Sequence, residues 1–559
     1  MSSGPIRQPQ REWTIAGLVA GVLAFGVLAA DWGVSTNWDL RNYHLYDAWA
    51  LLHDRAALDV APAQLQTWFN PLLQVPFYLS AAHLPAPLHL FLLGVLQGLN
   101  GVLLYLLARR LLPPALQRDG TAMALGTALA GVTTATVLGQ LGTTIGDNLV
   151  SLAALGALQL ALRPEGPTMA RAGIAGLLLG AGTALKLTLA PIAVGLALAI
   201  ALCAPRPNRP RLLVVLGIGG AAGFAAFGGW WMWRLWQQFG NPLYPQFGST
   251  FPGPWDPPFP IRDTRFLPSP AWRGWLWPFA PVHDWRLVSD IKFRDLRVPA
   301  LALGALLLPW WRAPRVDHAA RGAGDALLPG LALAYLAWLF LFGYHRYVAV
   351  VEMLAPLALL LLLARAWPQA RHLRKTAAVL LVLLALTTNP PNWGHAPRAL
   401  RVLELALPRE VPVQGAMVLL ASVAPTGFLA PAWPESTRFV RVQSNFHGEP
   451  WPPHALDHRV AQAIDGHAGP LVVVYAGADV ALVEQGLARY GVVRDGSRCG
   501  RIEAALWPPD EAPLQLCAAT RGEPATVALE RVYARWRADC TRNGAPDALW
   551  RSVCAALGG

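Results

Sequence analysis

The sequence predicts an α-helical polytopic membrane protein, with about eleven transmembrane helices, followed by a small α/β domain on the outer side. Three observations predict it. Hydrophobic residues make up 54% of the 559 positions and charged residues only 14%, against the roughly one quarter usual in soluble domains. Long apolar runs recur through the first two-thirds of the chain, separated by short loops that alternate in arginine content. Four of the five cysteines fall in the more polar last third.

In chain order the runs are 13–31, 87–108, 121–140, 147–162, 171–185, 188–204, 211–236, 298–311, 326–343, 347–364 and 374–388. A spanning helix needs roughly 20 mostly apolar residues, so 171–185 and 298–311 are short. Segment 70–84 is apolar but interrupted by proline and reads as interfacial or re-entrant. The first run lacks a small-residue cleavage site and reads as a retained helix. Arg7 and Arg11 precede the first run, and Arg109, Arg110 and Arg118 follow the second. Arg206, Arg209 and Arg211 lie between the sixth and seventh. Arg312, Arg315 and Arg321 follow the eighth, and Arg365, Arg371, Arg374 and Lys375 the tenth. Kept on the cytoplasmic side, these loops put the N-terminus inside and the C-terminus outside. The formal net charge of +12 therefore serves topology, and no nucleic-acid partner is expected.

The expected division is a membrane domain over 1–390, with outer loops 31–85 and 237–297, and an outer domain over 391–559. In the latter, β-type runs at 416–422, 437–443 and 470–475 alternate with helical patterns at 456–464, 478–490 and 523–541, which suggests an α/β layer structure. Gly477 follows a strand but lacks the rest of a dinucleotide fingerprint, so no nucleotide site is assigned. Cys499, Cys517, Cys540 and Cys554 have no zinc-type spacing. They read as two disulfides in an oxidising compartment, and Cys499–Cys517 with Cys540–Cys554 is the simplest of three pairings.

Candidate chemistry gathers on the outer side. Segment 31–49, DWGVSTNWDLRNYHLYDAW, packs Asp39, Arg41, His44 and Asp47 among tryptophans and tyrosines directly after the first run. Ionisable groups beside a membrane and framed by interfacial aromatics mark a site. A partly desolvated Asp39 suits general-base work. Asp147, in TTIGDNL, opens the fourth run; capping its own helix and catalysis are even readings. Lys186 interrupts an apolar hairpin against the positive-inside trend, and Arg346, in GYHRY, sits between two runs; both read as anion contacts. Arg41, Tyr43, His44, Trp68, Tyr244 and Tyr347 complete the expected substrate- and phosphate-binding set. The loop 237–297 carries Trp255, Arg262, Arg265, Trp272, Arg273, Trp275, Trp277, Trp285 and Arg286, fitting a substrate cover or a membrane-hugging loop.

Together NWDLRNYHLYDAW, TTIGDNL, GAGTALKLT, FGNPLYP and GYHRY resemble the GT-C class of integral-membrane glycosyltransferases, across about 13–390. The class includes the protein O-mannosyltransferases and the lipid A aminoarabinose transferases. The resemblance implies a sugar donor carried on a polyprenyl phosphate and a lipid, glycan or protein acceptor. It implies Asp39 as base, Asp147 as a second acid, and Lys186 and Arg346 on the carrier phosphate. Many members have adjacent acids in the first loop, whereas here Asp39 is followed by Leu40. No cofactor is assigned, and a divalent metal, used in the oligosaccharyl branch, is left open. The expectation is an inverting glycosyltransferase of a bacterial inner membrane. The alternatives are a lipid or sugar transporter or flippase, and a non-catalytic membrane scaffold with an outer binding domain.

Overall fold

A computed structural model describes residues 8–117, 120–163, 165–257, 261–307, 323–367, 372–396, 399–477, 480–543, 551, 553–555 and 557. Arg7, Arg118, Arg312, Arg315, Arg321 and Arg371 lie outside the described residues, as do 308–311 of the eighth run and 478–479 of the tail. The chain forms two compact units. The first comprises 1–33, 87–230 and 263–395, and the second 34–86, 231–262 and 396–559.

The first unit is helical. A helix occurs at each expected run: Gln8–Trp32, Ala86–Leu111, Gly120–Val132, Asp147–Ala161, Met169–Leu185, Ala190–Leu202, Arg209–Phe224, Arg297–Leu307, Ala323–Leu341, Ala349–Ala366 and Leu373–Leu386. Among the described residues, five helical segments are long and apolar enough to cross a membrane: Glu12–Trp32, Ala86–Leu111, Arg206–Phe239, Ala323–Leu341 and His345–Ala366. Gly120–Val132, Asp147–Ala161, Ala190–Leu202 and Leu373–Leu386 are shorter than the runs that predicted them, while Met169–Leu185 is slightly longer. Apolar side chains such as Val27, Ile218, Phe340 and Leu386 stand exposed on these helices, where lipid rather than water is their solvent. The chain is a multi-pass membrane protein.

Small residues set the closest packing. A Cβ at Gly176 or Gly180 would run into the backbone of Leu216 or Gly220, and one at Gly219 or Gly223 into that of Gly173 or Leu177. Helices Met169–Leu185 and Arg209–Phe224 thus touch backbone to backbone, the contact that drives association where no hydrophobic effect operates. Gly195 and Gly330 do the same for Ala190–Leu202 and Ala323–Leu341.

The run 121–140 is not one helix, and buried charge explains the break. The Arg297 guanidinium, fully buried, donates to the carbonyls of Ala130 (2.7 Å) and Thr133 (2.9 Å), the orphan acceptors at the end of Gly120–Val132. Asp295, paired with Arg297 at 2.6 Å, accepts from the Ala135 N–H (2.8 Å). The Thr134 hydroxyl accepts from Val137 N–H (3.0 Å). A new short helix, Ala135–Gly139, therefore starts where the first one stops.

The second unit is built on a five-stranded sheet: β1 (Met417–Ala421), β2 (Arg438–Gln443), β3 (Leu471–Ala476), β4 (Val492–Arg501) and β5 (Leu514–Arg521). Their order is β2-β1-β3-β5-β4. β1 runs parallel to β2 and β3, while β5 runs antiparallel to β3 and β4. Helices Ala455–Asp465, Val480–Ala488 and Ala525–Asn543 alternate with the strands. β1 and most of β2 and β3 are buried; β1 and β3 are nearly continuous apolar runs, as burial on both faces requires, while β2 also buries Arg441 and Gln443. Cys499 and Cys517 face each other across β4 and β5 and are bonded, and Cys540 is bonded to Cys554.

The segment after the first helix belongs to this sheet. Gly33, at φ 85°, stops helix Gln8–Trp32 in the left-handed conformation that glycine adopts without strain. Further on, Val60 donates its N–H to the Phe439 carbonyl and accepts from the Arg441 N–H, both at 2.9 Å, which extends the free edge of β2. Asp59 accepts from Phe439 N–H (2.9 Å), and the buried Arg441 guanidinium donates to the Pro62 carbonyl. By contact grouping the chain divides at 395/396, and 34–86 and 231–262, which overlap the expected outer loops 31–85 and 237–297, group with the tail. Segment 70–84 forms a nine-residue helix, Val75–His83, too short to span.

Candidate active site

Three helix ends meet in the first unit. Asp147 is the first residue of Asp147–Ala161, placed there by Gly146 at φ 96°. Lys186 ends Met169–Leu185, in extended backbone that breaks the chain before Ala190–Leu202. Arg346 lies in the short turn His345–Val348 that leads into Ala349–Ala366. Lys186 Nζ is 2.9 Å from Asp147 Oδ1, and Arg346 Nε is 3.6 Å from Asp147 Oδ2. Gln140, at the end of the short helix, donates to Asp147 Oδ2 (3.0 Å). Lys186 also donates to the Ile145 carbonyl (2.5 Å). The carboxylate of Asp147 therefore serves the two cations and Gln140 rather than the amides of its own helix.

Aromatic rings surround the cations. The Arg346 guanidinium lies 5.5, 5.3 and 5.6 Å from the ring centres of Tyr344, Tyr347 and Trp393, and Lys186 Nζ lies 6.0 Å from that of Tyr347. Both cationic side chains are only 13% exposed, so their charge is weakly screened and acts strongly on a nearby anion.

A buried network sits behind the cations. His345 Nε2 is 2.5 Å from Glu352 Oε1, and the other Glu352 oxygen accepts from Thr136 N–H (3.2 Å). The His345 N–H donates to the Val288 carbonyl (2.7 Å). This pins the residue beside Arg346 from two directions and fixes the helix that carries Gln140. Glu352 was not singled out from the sequence, although a lone acid in VAVVEMLAPLALLLLL is a signal that could have found it. Gln140 and Trp393 carried no such signal.

The other predicted residues belong to the second unit. Asp39 is half-buried near the start of a helical stretch over 38–52, whose residues Leu40–His44 take the wider π form often found at functional positions. Tyr43 meets His44 (4.3 Å between ring centres) and Phe69 (5.5 Å) edge-on. Arg41, expected on substrate, makes a two-pronged pair with Glu511 (2.8 and 2.6 Å) and lies over Trp507 (4.9 Å), tying this helix to the tail. Trp68 and Tyr244 build the core of the unit. Tyr244 stacks on Phe239 (4.0 Å) and donates its hydroxyl to the Trp255 carbonyl (3.0 Å), and Trp68 packs edge-on against both rings.

The tryptophan-rich loop divides between the units at 262/263. Trp277 is buried, with its indole N–H on the Phe266 carbonyl (2.9 Å), while Trp272 and Trp275 are largely exposed. Among the described residues no group of three or more His, Cys, Asp or Glu side chains gathers to hold a metal ion.

No family model matches the chain, and no curated protein sequence matches it. Solved structures do align with it. ArnT from Cupriavidus metallidurans bound to undecaprenyl phosphate aligns at 12% identity and TM-score 0.41, over 91% of this chain and 98% of that one. The same protein in the apo state aligns at 11% identity and TM-score 0.43, with the same coverage. The archaeal oligosaccharyltransferase AglB from Archaeoglobus fulgidus, in complex with an inhibitory peptide and a dolichol-phosphate, aligns at 14% identity and TM-score 0.39, over 90% of this chain and 76% of that one.

Proposed function

We propose that the protein is a membrane glycosyltransferase of the GT-C kind. It would move a sugar from a polyprenyl-phosphate carrier to a hydroxyl of a lipid, glycan or protein acceptor on the outer face of a bacterial inner membrane. One observation carries the reading: Lys186 and Arg346, weakly screened and ringed by aromatics, share Asp147 where three helix ends meet. Two helix N-termini there add positive dipole ends, which favour a phosphate further.

The proposed reaction is a single displacement. The acceptor oxygen forms a bond to the anomeric carbon as the bond from that carbon to the carrier phosphate breaks, which inverts the anomer. The phosphate leaves with the electron pair and gains charge, which Lys186 and Arg346 stabilise. Asp39 takes the acceptor proton. Asp147 holds the two cations at a fixed spacing, so little reorganisation is needed as charge develops. Tyr347 supports both cations with its ring face.

The test uses the full chain in lipid nanodiscs, with undecaprenyl phosphate as the binding probe and a panel of polyprenyl-phosphate sugars as donors. Asp39→Asn is expected to keep probe binding and lose turnover by about 10²–10⁴-fold. Lys186→Ala is expected to weaken probe binding and lower turnover by about 10²-fold or more. Undiminished turnover in Asp39→Asn, or no binding of the probe by the wild type, would overturn the assignment.

A further inference from the structure

We propose that the second unit carries a carbohydrate subsite built on Asp47, which takes the hydroxymethyl arm of a neutral pyranose. Helix Leu45–Leu52, residues 56–61 and 67–68, the helix end at 231–238, and Arg459 from the tail enclose a cavity of about 40 Å³. Asp47 lines it and is 5% exposed. Its Oδ1 has no hydrogen-bond partner, and it has no ion pair among the described residues.

Most of the neighbouring charged and hydroxyl groups are engaged with other partners. The Tyr46 hydroxyl donates to Asp59 (3.1 Å), which also accepts from the Arg55 guanidinium (3.1 and 2.8 Å). Thr67 accepts from Ala63 N–H (3.0 Å). Arg234 lies 3.4 Å from Asp54, and Arg459 donates to the Ala56 carbonyl (3.0 Å). Asp47 is the lining residue that combines near-complete burial with a carboxyl oxygen lacking a hydrogen-bond partner, and Gln238 also borders the space.

A buried carboxyl oxygen without a partner is costly, and such groups collect at binding sites. Burial pushes Asp47 well above the usual carboxylate range. A neutral carboxyl is both donor and acceptor, the complement of a hydroxyl. Two guanidiniums in the wall, Arg234 and Arg459, oppose a cationic ligand. The volume admits a few non-hydrogen atoms, since a water needs roughly 10–15 Å³ on this measure. Only an arm of a sugar enters, and its ring rests against half-exposed Trp231 and Arg234. The subsite is a binding property and does not require that transfer occurs.

The experiment is saturation-transfer NMR on the full chain in lipid nanodiscs, with methyl α-D-glucopyranoside as probe. Methyl α-D-xylopyranoside, which lacks the hydroxymethyl arm, is the control. Transfer is expected to be strongest at the C6 methylene, with affinity for the xyloside about tenfold lower. Asp47→Leu is expected to lower glucoside affinity by the same factor or more. Ala50→Leu, which fills the cavity from the next turn of the helix and leaves Asp47 in place, should do likewise. Thermal melts of each variant separate lost binding from lost fold, and Asp47→Leu should melt no lower than the wild type, since it removes an unsatisfied oxygen. Equal affinities for the two glycosides, unchanged binding in Asp47→Leu, or no glucoside binding by folded wild type would overturn the assignment.

Discussion

At Arg346 the shape of the cation matters as much as its charge. Its planar head lies among three rings while reaching Asp147, a geometry that an ammonium on a flexible stem does not reproduce. Arg346→Lys is therefore expected to lower undecaprenyl-phosphate affinity about tenfold, and Arg346→Ala further, as read by equilibrium binding in nanodiscs. Equal affinity for wild type and Arg346→Lys would remove the need for a guanidinium. The sequence marked Arg346 and Lys186 because each offends a local rule, a charge among apolar residues on the outer side. It did not reveal the Arg41 pair with Glu511, because that partner lies 470 residues away and no local pattern announces it. Asp147 was evenly balanced between cap and site, and its bonds to Gln140 and Lys186 tip it away from capping.

His447 gives a pH dependence at the same scale. Its Nε2–H donates to the Arg441 carbonyl (2.7 Å) and its Nδ1 accepts from the Ser444 hydroxyl (2.8 Å), an arrangement that suits the neutral ring. Burial lowers it from the ordinary 6.5 to about 3. Between those values the unfolded chain binds the proton and the folded chain does not, so stability falls as pH falls. The wild type is expected to lose about 2 kcal/mol between neutral pH and pH 5 from this group. His447→Asn should flatten that part of the profile, measured by denaturant melts at the two pH values.

Glycine placement decides packing at the scale of elements. Gly180 and Gly217 read alike in the sequence, each in an apolar helix of the same pair. A Cβ at Gly180 would meet the backbone of Gly220, whereas one at Gly217 meets nothing within 4 Å. Gly180→Ala is expected to destabilise by about 1–3 kcal/mol through forced separation of the helices. Gly217→Ala should change stability by no more than about 0.5 kcal/mol. Thermal melts of the two variants in one detergent make the comparison, and equal effects would refute the backbone contact. Helix positions were legible because apolar length is a strong signal. The break within 121–140 was not, because it is made by Arg297 and Asp295 from a distant segment. β1, β2 and β3 were legible as apolar runs, while polar β4 was hidden, its pairing with β5 secured by a disulfide and by cross-strand bonds.

For the whole molecule, connectivity hid what composition revealed. Residues 34–86 look like a loop between two membrane helices, yet Val60 pairs with a strand nearly four hundred residues later. Long-range pairing of this kind leaves no periodic trace, so the second unit was read as the tail alone. The proposed orientation rests on two independent properties of the chain. Arg109, Arg110, Arg365, Arg374 and Lys375 lie at helix ends that the positive-inside rule would place on the cytoplasmic side. The two disulfides, closing sequence separations of 18 and 14 residues, need an oxidising compartment to form and persist. Each loop closure of that size is worth about 3 kcal/mol in the chain-entropy model, so a tail kept in a reducing cytoplasm would lose much of its margin. Alkaline phosphatase fused after Gly559 is therefore expected to be active, and the same enzyme fused after Arg110 inactive. Mass spectrometry without reductant should find Cys499 with Cys517 and Cys540 with Cys554, while Cys203 stays free to alkylate in the denatured chain. The reverse fusion pattern would invert the topology and move Asp39 to the cytoplasmic face, where a sugar on an outward-facing carrier could not be its substrate.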